Sequence, residues 1–390
     1  MKLKHAMAAI ITLLSGIIAP AQDVGDNVAC AEVQLKSLLN ASEAGDTLRI
    51  PASFRKGRVR FVPEDDWVSG FFAGTLWYMY ELTGEEMWAE HARAHTEKLD
   101  SIKYLTSHHD IGFMINDSYG NGLRLKGIRE YGDVIVTAAG SLSTRFRPAA
   151  GVLQSWNVDR GWQAEKGWKC PVIIDNMMNL ELLFNATRIS GDSTFFNIAV
   201  SHADRTIANH FRPDGSCYHV VDYDPETGEM RNKCTAQGYA DESAWARGQA
   251  WAIYGYAMAY QHTGFDKYLK QSERTAAYVL SHLPGDMVPY WDYDCPDIPD
   301  TYRDASSAAI MASAFYNLYS ITGKETYREA ADGMLDTLSS PAYRAEPGTN
   351  GGFILMHSVG SVPHGSSIDV PLNYADYYFL EALARKKELP

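Results

Sequence analysis

The sequence is short of positive charge: 35 Lys and Arg stand against 48 Asp and Glu, a formal net charge of −13. Nucleic-acid phosphates and anionic membranes call for a local excess of Lys and Arg, so neither is an expected partner. Cysteine is scarce as well. The five present (Cys30, Cys170, Cys217, Cys234 and Cys295) form no CxxC pair and no zinc spacing, which speaks against a disulfide framework and a thiolate metal site. HExxH, GxSxG and phosphate-loop patterns are missing, so zinc hydrolysis, serine-hydrolase chemistry and nucleotide use are disfavoured; no metal or cofactor is expected.

A membrane span is also lacking at the start of the chain, where the apolar run from Ala6 to Ala19 is too short to cross a bilayer. It follows a basic start, Met1-Lys2-Leu3-Lys4, and ends in Pro20-Ala21-Gln22. This layout predicts a secretory signal peptide over residues 1–21, cleaved after Ala21. Cys30 lies too far downstream to anchor a lipid, so free export to a Gram-negative periplasm is expected, with residues 22–390 as one domain.

What is plentiful is aromatic surface: 23 Tyr, 14 Phe and 9 Trp in 390 residues. Sugar rings stack on such faces, and large helical cores also use them. A short pattern decides in favour of helices. A glycine followed four residues later by an aromatic recurs as Gly84/Trp88, Gly127/Tyr131, Gly191/Phe195, Gly264/Tyr268 and Gly323/Tyr327. An apolar stretch precedes each glycine, for example 67–82, 176–189, 246–262 and 306–321. A more polar, amphipathic stretch follows, such as 85–101 or 324–338. The glycine is then a left-handed C-cap between an inner and an outer helix. Five such hairpins, and a sixth closed by pairing residues 27–44 with 372–386, predict an all-α (α/α)6 toroid.

Closure brings the inner N-termini together at one end, which is the expected site. Loops leading back to that end carry Trp156, His219, Trp291 and His364. Helix N-termini ringed by aromatics suit an anionic sugar. Aspartates stand at several inner starts: Asp66, Asp175, Asp241 and Asp304. Each reads equally as a helix cap, so position alone does not pick a catalyst. Asp110, with His108 and His109 before it, precedes what reads as a short polar connection, 116–121. The segment from Gln237 to Trp251 is the densest in functional side chains. Within it Arg247 is either a carboxylate ligand or the partner of Asp241 or Glu242 on a solvated face. His219 is either a ligand contact or a strand histidine facing a core carbonyl.

At these stretches the sequence resembles the unsaturated glucuronyl hydrolases, glycoside hydrolase family 88. The likeness runs from about Asp66 to Arg385, through DDWVSGFFAGTLWYMYELTG, HHDIGFM, IIDNMMNLELLF, DGSCYHVVDYDPETGEM, QGYADESAWARGQAWAIYGYAM and DYYFLEAL. The resemblance implies a six-hairpin toroid that removes the 4,5-unsaturated glucuronic acid from lyase-generated glycosaminoglycan oligosaccharides of chondroitin, hyaluronan or heparin type. It implies Asp175 as acid and base, Asp110 as the second carboxylate, and sugar contacts at His219, Gln237, Trp245, Arg247 and Trp251 with Trp67 as a stacking wall. Ser366 and Ser367 fall in the loop expected to meet the second sugar or its sulfate. Two departures from the family pattern stand out: LKGIREYG at the second hairpin, and the 362–367 loop itself. The rival readings are an unsaturated rhamnogalacturonyl hydrolase acting on pectic fragments, a conventional inverting glycosidase, and a non-catalytic oligosaccharide-binding protein.

Overall fold

The structure is a computed structural model that describes residues 24–389; the leader expected over 1–21 lies outside the described residues. The chain opens with α1 (Val24–Glu43), the hairpin β1 (Ile50–Arg55) and β2 (Arg58–Val62), then α2 (Ser69–Thr83), α3 (Glu86–Glu97), α4 (Ile111–Ile115), α5 (Asn121–Lys126) and α6 (Glu130–Ser143). A small hairpin of β3 (Phe146–Arg147) and β4 (Val152–Leu153) leads to α7 (Gly161–Glu165), β5 (Cys170–Ile173), α8 (Asn176–Ser190) and α9 (Ser193–His210). There follow β6 (Val220–Tyr223), β7 (Met230–Cys234), α10 (Ala246–Thr263), α11 (Asp266–His282), α12 (Ala305–Thr322), α13 (Glu325–Ser339), β8 (Ser358–Ser361), β9 (Ser366–Val370) and α14 (Asn373–Glu388).

Helices α2, α4 with α5, α8, α10, α12 and α14 pack side by side in that order, and α14 returns to α2. The inner ring is therefore closed, and the architecture is the (α/α)6 toroid. Apolar patterning explains which helix goes where. Every residue from Ala305 to Leu318 in α12 is buried, whereas α11 buries the stripe Tyr268, Gln271, Ser272, Thr275, Ala276 and Val279. The main apolar cluster runs from Ala31 to Ala384. All five cysteines are free.

The five glycines end α2, α5, α8, α10 and α12, all left-handed, with φ between 63° and 75°. The N–H of Gly84, Gly264 and Gly323 each returns to a carbonyl four residues back at 2.7 Å. Each partner aromatic is buried on the outer helix, with Trp88 and Tyr268 completely enclosed, a burial of roughly 2 kcal/mol apiece. LKGIREYG behaves like the others: Gly127 caps α5 at φ 63°.

Two expectations are corrected. Residues 116–121 are helical, a π-turn over Asn116–Gly120 that joins α4 to α5. Their polarity serves the ring interior: Asn116 donates to Glu181 at 3.0 Å and Asn121 to the Tyr377 hydroxyl at 3.2 Å. The closing hairpin also differs, because α14 seals the ring by lying between α12 and α2. Helix α1 instead docks on the segment before β8, where Gln34 donates to the carbonyls of Thr349 and Phe353.

Inner-to-outer turns are short, whereas every return from outer to inner helix is long, and those before α2, α8, α10 and α14 carry the strands. All the long returns gather at the inner N-termini, where loop residues have a rigid rim to stand on. Glycine substitutions test the framework. A Cβ at Gly264 meets open space, so Gly264→Ala costs only the left-handed backbone strain, about 1 kcal/mol. At Gly255 a Cβ falls 2.6 Å from Cβ of Met177, where α10 crosses α8, so Gly255→Ala costs more, roughly 2–3 kcal/mol. Equilibrium unfolding of the two variants measures the difference.

Candidate active site

A cleft of about 310 Å³ opens at the inner N-termini. Of the residues expected to form a site, Trp67, Asp110, Asp175, Gln237, Arg247 and Ser366 line it. Trp156 and His364, singled out as loop residues, line it too, and so do Trp162, Ile173 and Ser361. Ser367 faces an adjoining cavity that shares Trp67, Gln237, Arg247 and Ser366 with the cleft. His219, Trp245 and Trp251 stand behind the wall: Trp245 lies under His219 at 4.6 Å, and Trp251 is enclosed between Phe113 and Tyr378. Trp291 is buried elsewhere and donates to Thr301.

A larger cavity, about 800 Å³, lies at the opposite end of the ring. Three of its four carboxylates are already engaged: Glu81 takes both Nη atoms of Arg124, Glu181 accepts from Asn116, and Glu381 accepts from Tyr78, Tyr254, Ser313 and Arg385, while the fourth, Glu388, is exposed at the end of α14. Acid chemistry near neutral pH needs a buried carboxyl with a free oxygen, and the smaller cleft has one in Asp175.

The helix-start aspartates separate cleanly. Asp304 caps α12 by accepting from the Ser306 N–H, and Asp66 accepts from the Val68 N–H. Asp241 lies before the helix and accepts from the Thr235 N–H. Asp110 and Asp175 precede α4 and α8 with no capping bond from their side chains. Among these helix-start aspartates only Asp304 caps its helix; Asp66, Asp110, Asp175 and Asp241 all leave the helix N–H groups alone.

Burial pushes the Asp175 carboxyl up to about 7, outweighing the pull of Arg247, and the charge of Asp110 adds to the rise. Desolvation is the largest of these causes. Burial also opposes ionisation of Asp110, but His109, His108 and Arg145 prevail and hold it below the ordinary carboxylate range. His108 Nδ1 is 3.1 Å from one oxygen and His109 Nε2 3.3 Å from the other. The result is a protonated and an ionised carboxyl in one cleft, the division of labour that acid catalysis requires. A raised pKa alone is not diagnostic, since Asp376 is also near 7, yet it accepts two backbone N–H bonds in the core.

His219 completes the surroundings. Its Nδ1 accepts the N–H groups of Ala236 and Gln237, at 3.0 and 3.2 Å, which places the ring proton on Nε2. That Nε2 lies 3.8 Å from Asp175 Oδ2, and neither atom has a hydrogen-bond partner. Burial holds the ring well below its usual pKa, so it is neutral and leaves Asp175 uncompensated. Arg247 corrects the solvated-face alternative: it is buried, donates to the carbonyls of Val359 and Gly360 and faces Asp304, far from Asp241 and Glu242 in its bonding. Trp162 escaped sequence reasoning. It sits in α7, too short to show a period, and packs on His364 at 4.9 Å between ring centres.

A helical toroid whose rim holds a protonated and an ionised carboxyl among tryptophans is the layout of a sugar-cleaving enzyme, and the comparisons specify which. No protein-family model matches the chain. The unsaturated glucuronyl hydrolase of Formosa agariphila is 44% identical over 371 residues, 94% of this chain and 92% of that protein. The unsaturated chondroitin disaccharide hydrolase of Streptococcus pneumoniae is 33% identical, over 82% of this chain and 81% of its own. A crystal structure of an unsaturated glucuronyl hydrolase specific for heparin matches with a TM-score of 0.88 at 42% identity, covering 94% of this chain and 98% of that one. The chain belongs to the unsaturated glucuronyl hydrolases, a family of glycoside hydrolases.

The pH dependence follows from the two carboxyls. As proton donor Asp175 would enter the reaction protonated, so kcat/KM is expected to fall as pH rises through about 7. A profile flat to pH 9 contradicts Asp175 as proton donor. Stability moves the same way. Between the ordinary carboxylate pKa of 3.8 and about 7 the folded chain keeps a proton that the unfolded chain has released, and this favourable contribution is lost as pH rises through that window. Asp175→Asn is therefore expected to melt above the native protein at pH 8 and close to it at pH 4, as calorimetry would show.

Proposed function

We propose that the protein removes 4,5-unsaturated glucuronic acid from the non-reducing end of glycosaminoglycan oligosaccharides left by polysaccharide lyases. The reaction is hydration of an enol ether. In such a sugar the C4=C5 double bond is conjugated to the carboxylate and attached to the ring oxygen, so C4 is the basic carbon. Asp175 gives its proton to C4, and the ring oxygen stabilises the cation left at C5. Water adds to C5 and returns a proton to Asp175. The hemiketal then opens by breaking the bond from C5 to the ring oxygen, and the hemiacetal at C1 expels the second sugar as an alcohol. No glycosyl bond is attacked directly, so the carboxylate spacing that separates retaining from inverting glycosidases does not apply.

The observation that carries this reading is the Asp175 carboxyl: protonated toward neutrality, with an unpartnered oxygen, in the same cleft as ionised Asp110. Arg247 supplies a positive charge for the uronate, Trp67, Trp156 and Trp162 supply ring faces, and Ser361, His364 and Ser366 stand where a second sugar would lie. The similar proteins act on chondroitin disaccharides in one case and are specific for heparin in another, which bounds the substrates worth testing. The signal-peptide reading of residues 1–21 supports placement in the periplasm, downstream of such lyases, with residues 22–390 as one catalytic domain. No helix among the described residues is long and apolar enough to cross a membrane.

A panel of unsaturated disaccharides from chondroitin, hyaluronan, heparin and pectin, sulfated and unsulfated, tests the proposal through loss of the enol-ether absorbance. Turnover of glycosaminoglycan products is expected; turnover of pectic products alone would make it a rhamnogalacturonyl hydrolase. Asp175→Asn is expected to lower kcat by about 10³-fold while still binding the disaccharide. A variant that kept its rate would remove Asp175 from the mechanism.

A further inference from the structure

Asp304 does far more than cap a helix. It is completely buried, and a cap needs one backbone N–H, yet its two oxygens are fully occupied. Oδ1 accepts the N–H of Ser306 and of Val359, each at 3.1 Å, and the Ser306 hydroxyl at 2.6 Å. Oδ2 accepts the Ser307 hydroxyl at 2.6 Å and faces Arg247 Nη1 at 3.4 Å. The same guanidinium donates to the carbonyls of Val359 and Gly360, and its faces rest near Trp245 and Tyr374, at 4.5 and 5.4 Å from the ring centres. Gln237 reaches toward the Gly360 carbonyl as well, at 3.4 Å.

One carboxylate therefore ties together the start of α12, strand β8 and a cation that lines the cleft. The acceptors at Val359 and Gly360 are neutral carbonyls, which orient a guanidinium but do not compensate its charge. A buried cation without a counter-ion is costly, and Asp304 is the carboxylate in contact with it. Strand β8 in turn carries Ser361 at the cleft wall.

We propose that Asp304 is a positioning residue for the reaction, holding the Arg247 guanidinium against the β8–β9 wall so that it meets the uronate carboxylate in one fixed orientation. This rests on the hydrolase reading above. The test is a double-mutant cycle on whichever unsaturated disaccharide the native protein turns over, using Asp304→Asn, Arg247→Gln and the double variant. Asp304→Asn is expected to lose tenfold or more in kcat/KM, chiefly through KM, and the double variant to lose no more than Arg247→Gln alone. Losses that multiply in full would show Asp304 acting only as a helix cap and overturn the proposal, as would an unchanged kcat/KM in Asp304→Asn. If Asp304→Asn does not fold, the melting temperatures of the other two decide. Arg247→Gln leaves a buried carboxylate unpaired and should melt below the double variant; the reverse order overturns the pairing. Lack of turnover by the native protein on every unsaturated disaccharide overturns the hydrolase reading itself, and the positioning proposal with it, and the native control identifies that case.

Discussion

The site depends on a carboxylic acid being kept away from water. Asp175 stands at the start of an inner helix, where the N–H groups and the helix dipole would favour its charged form. Its side chain forgoes the capping bond that would draw this stabilisation, and it lies enclosed beside neutral His219 and Trp251. Desolvation then decides the contest, and the proton stays on to about pH 7. The arrangement sacrifices local stability for function: a capping aspartate would strengthen α8 and be useless as an acid.

The toroid supplies the enclosure. Short glycine turns at one end leave every long return at the other, so the loops and strands that wall the cleft stand on a ring of packed helices. This separation was legible in the sequence because a helix C-cap is local chemistry. A glycine at positive φ and an aromatic one turn later are set by neighbours in the chain, and the pattern repeats five times. The closure was less legible. The partner of α14 is set by packing with α12 and α2 across the whole chain, and the helical character of 116–121 was masked by asparagines whose partners are Glu181 and Tyr377.

For the site, composition and position narrowed the choice to a handful of helix-start aspartates and stopped there. Whether such a residue caps its helix is a matter of side-chain rotamer, and no local pattern encodes it. Asp304 caps; Asp66, Asp110 and Asp175 do not. The family resemblance pointed to Asp110 and Asp175, and the structure places both on one cleft with the first carboxyl lowered and the second raised in pKa. The resemblance was coarser about the walls. Trp245, Trp251 and His219 lie behind the cleft surface, where His219 stands 3.8 Å from Asp175 and Trp245 packs against both His219 and Arg247. Trp162, which does line the cleft, sits in a one-turn helix with no periodic signal.

The assignment of Arg247 shows why long-range partners matter. An anionic sugar needs a cation in the cleft, yet a cation near Asp175 favours loss of the proton that the reaction consumes; Arg247 is indeed the leading influence pulling Asp175 down. A guanidinium free to swing toward that carboxyl would form an ion pair and hold it ionised. Here the guanidinium is fastened to Val359, Gly360 and Asp304, with aromatic faces beside it, so its charge is shared with a carboxylate 57 residues away in sequence. Asp175 can then feel the cation without being captured by it. Binding a negatively charged substrate and protonating it are compatible in one small cleft only because the cation and the acid are held apart by separate anchors.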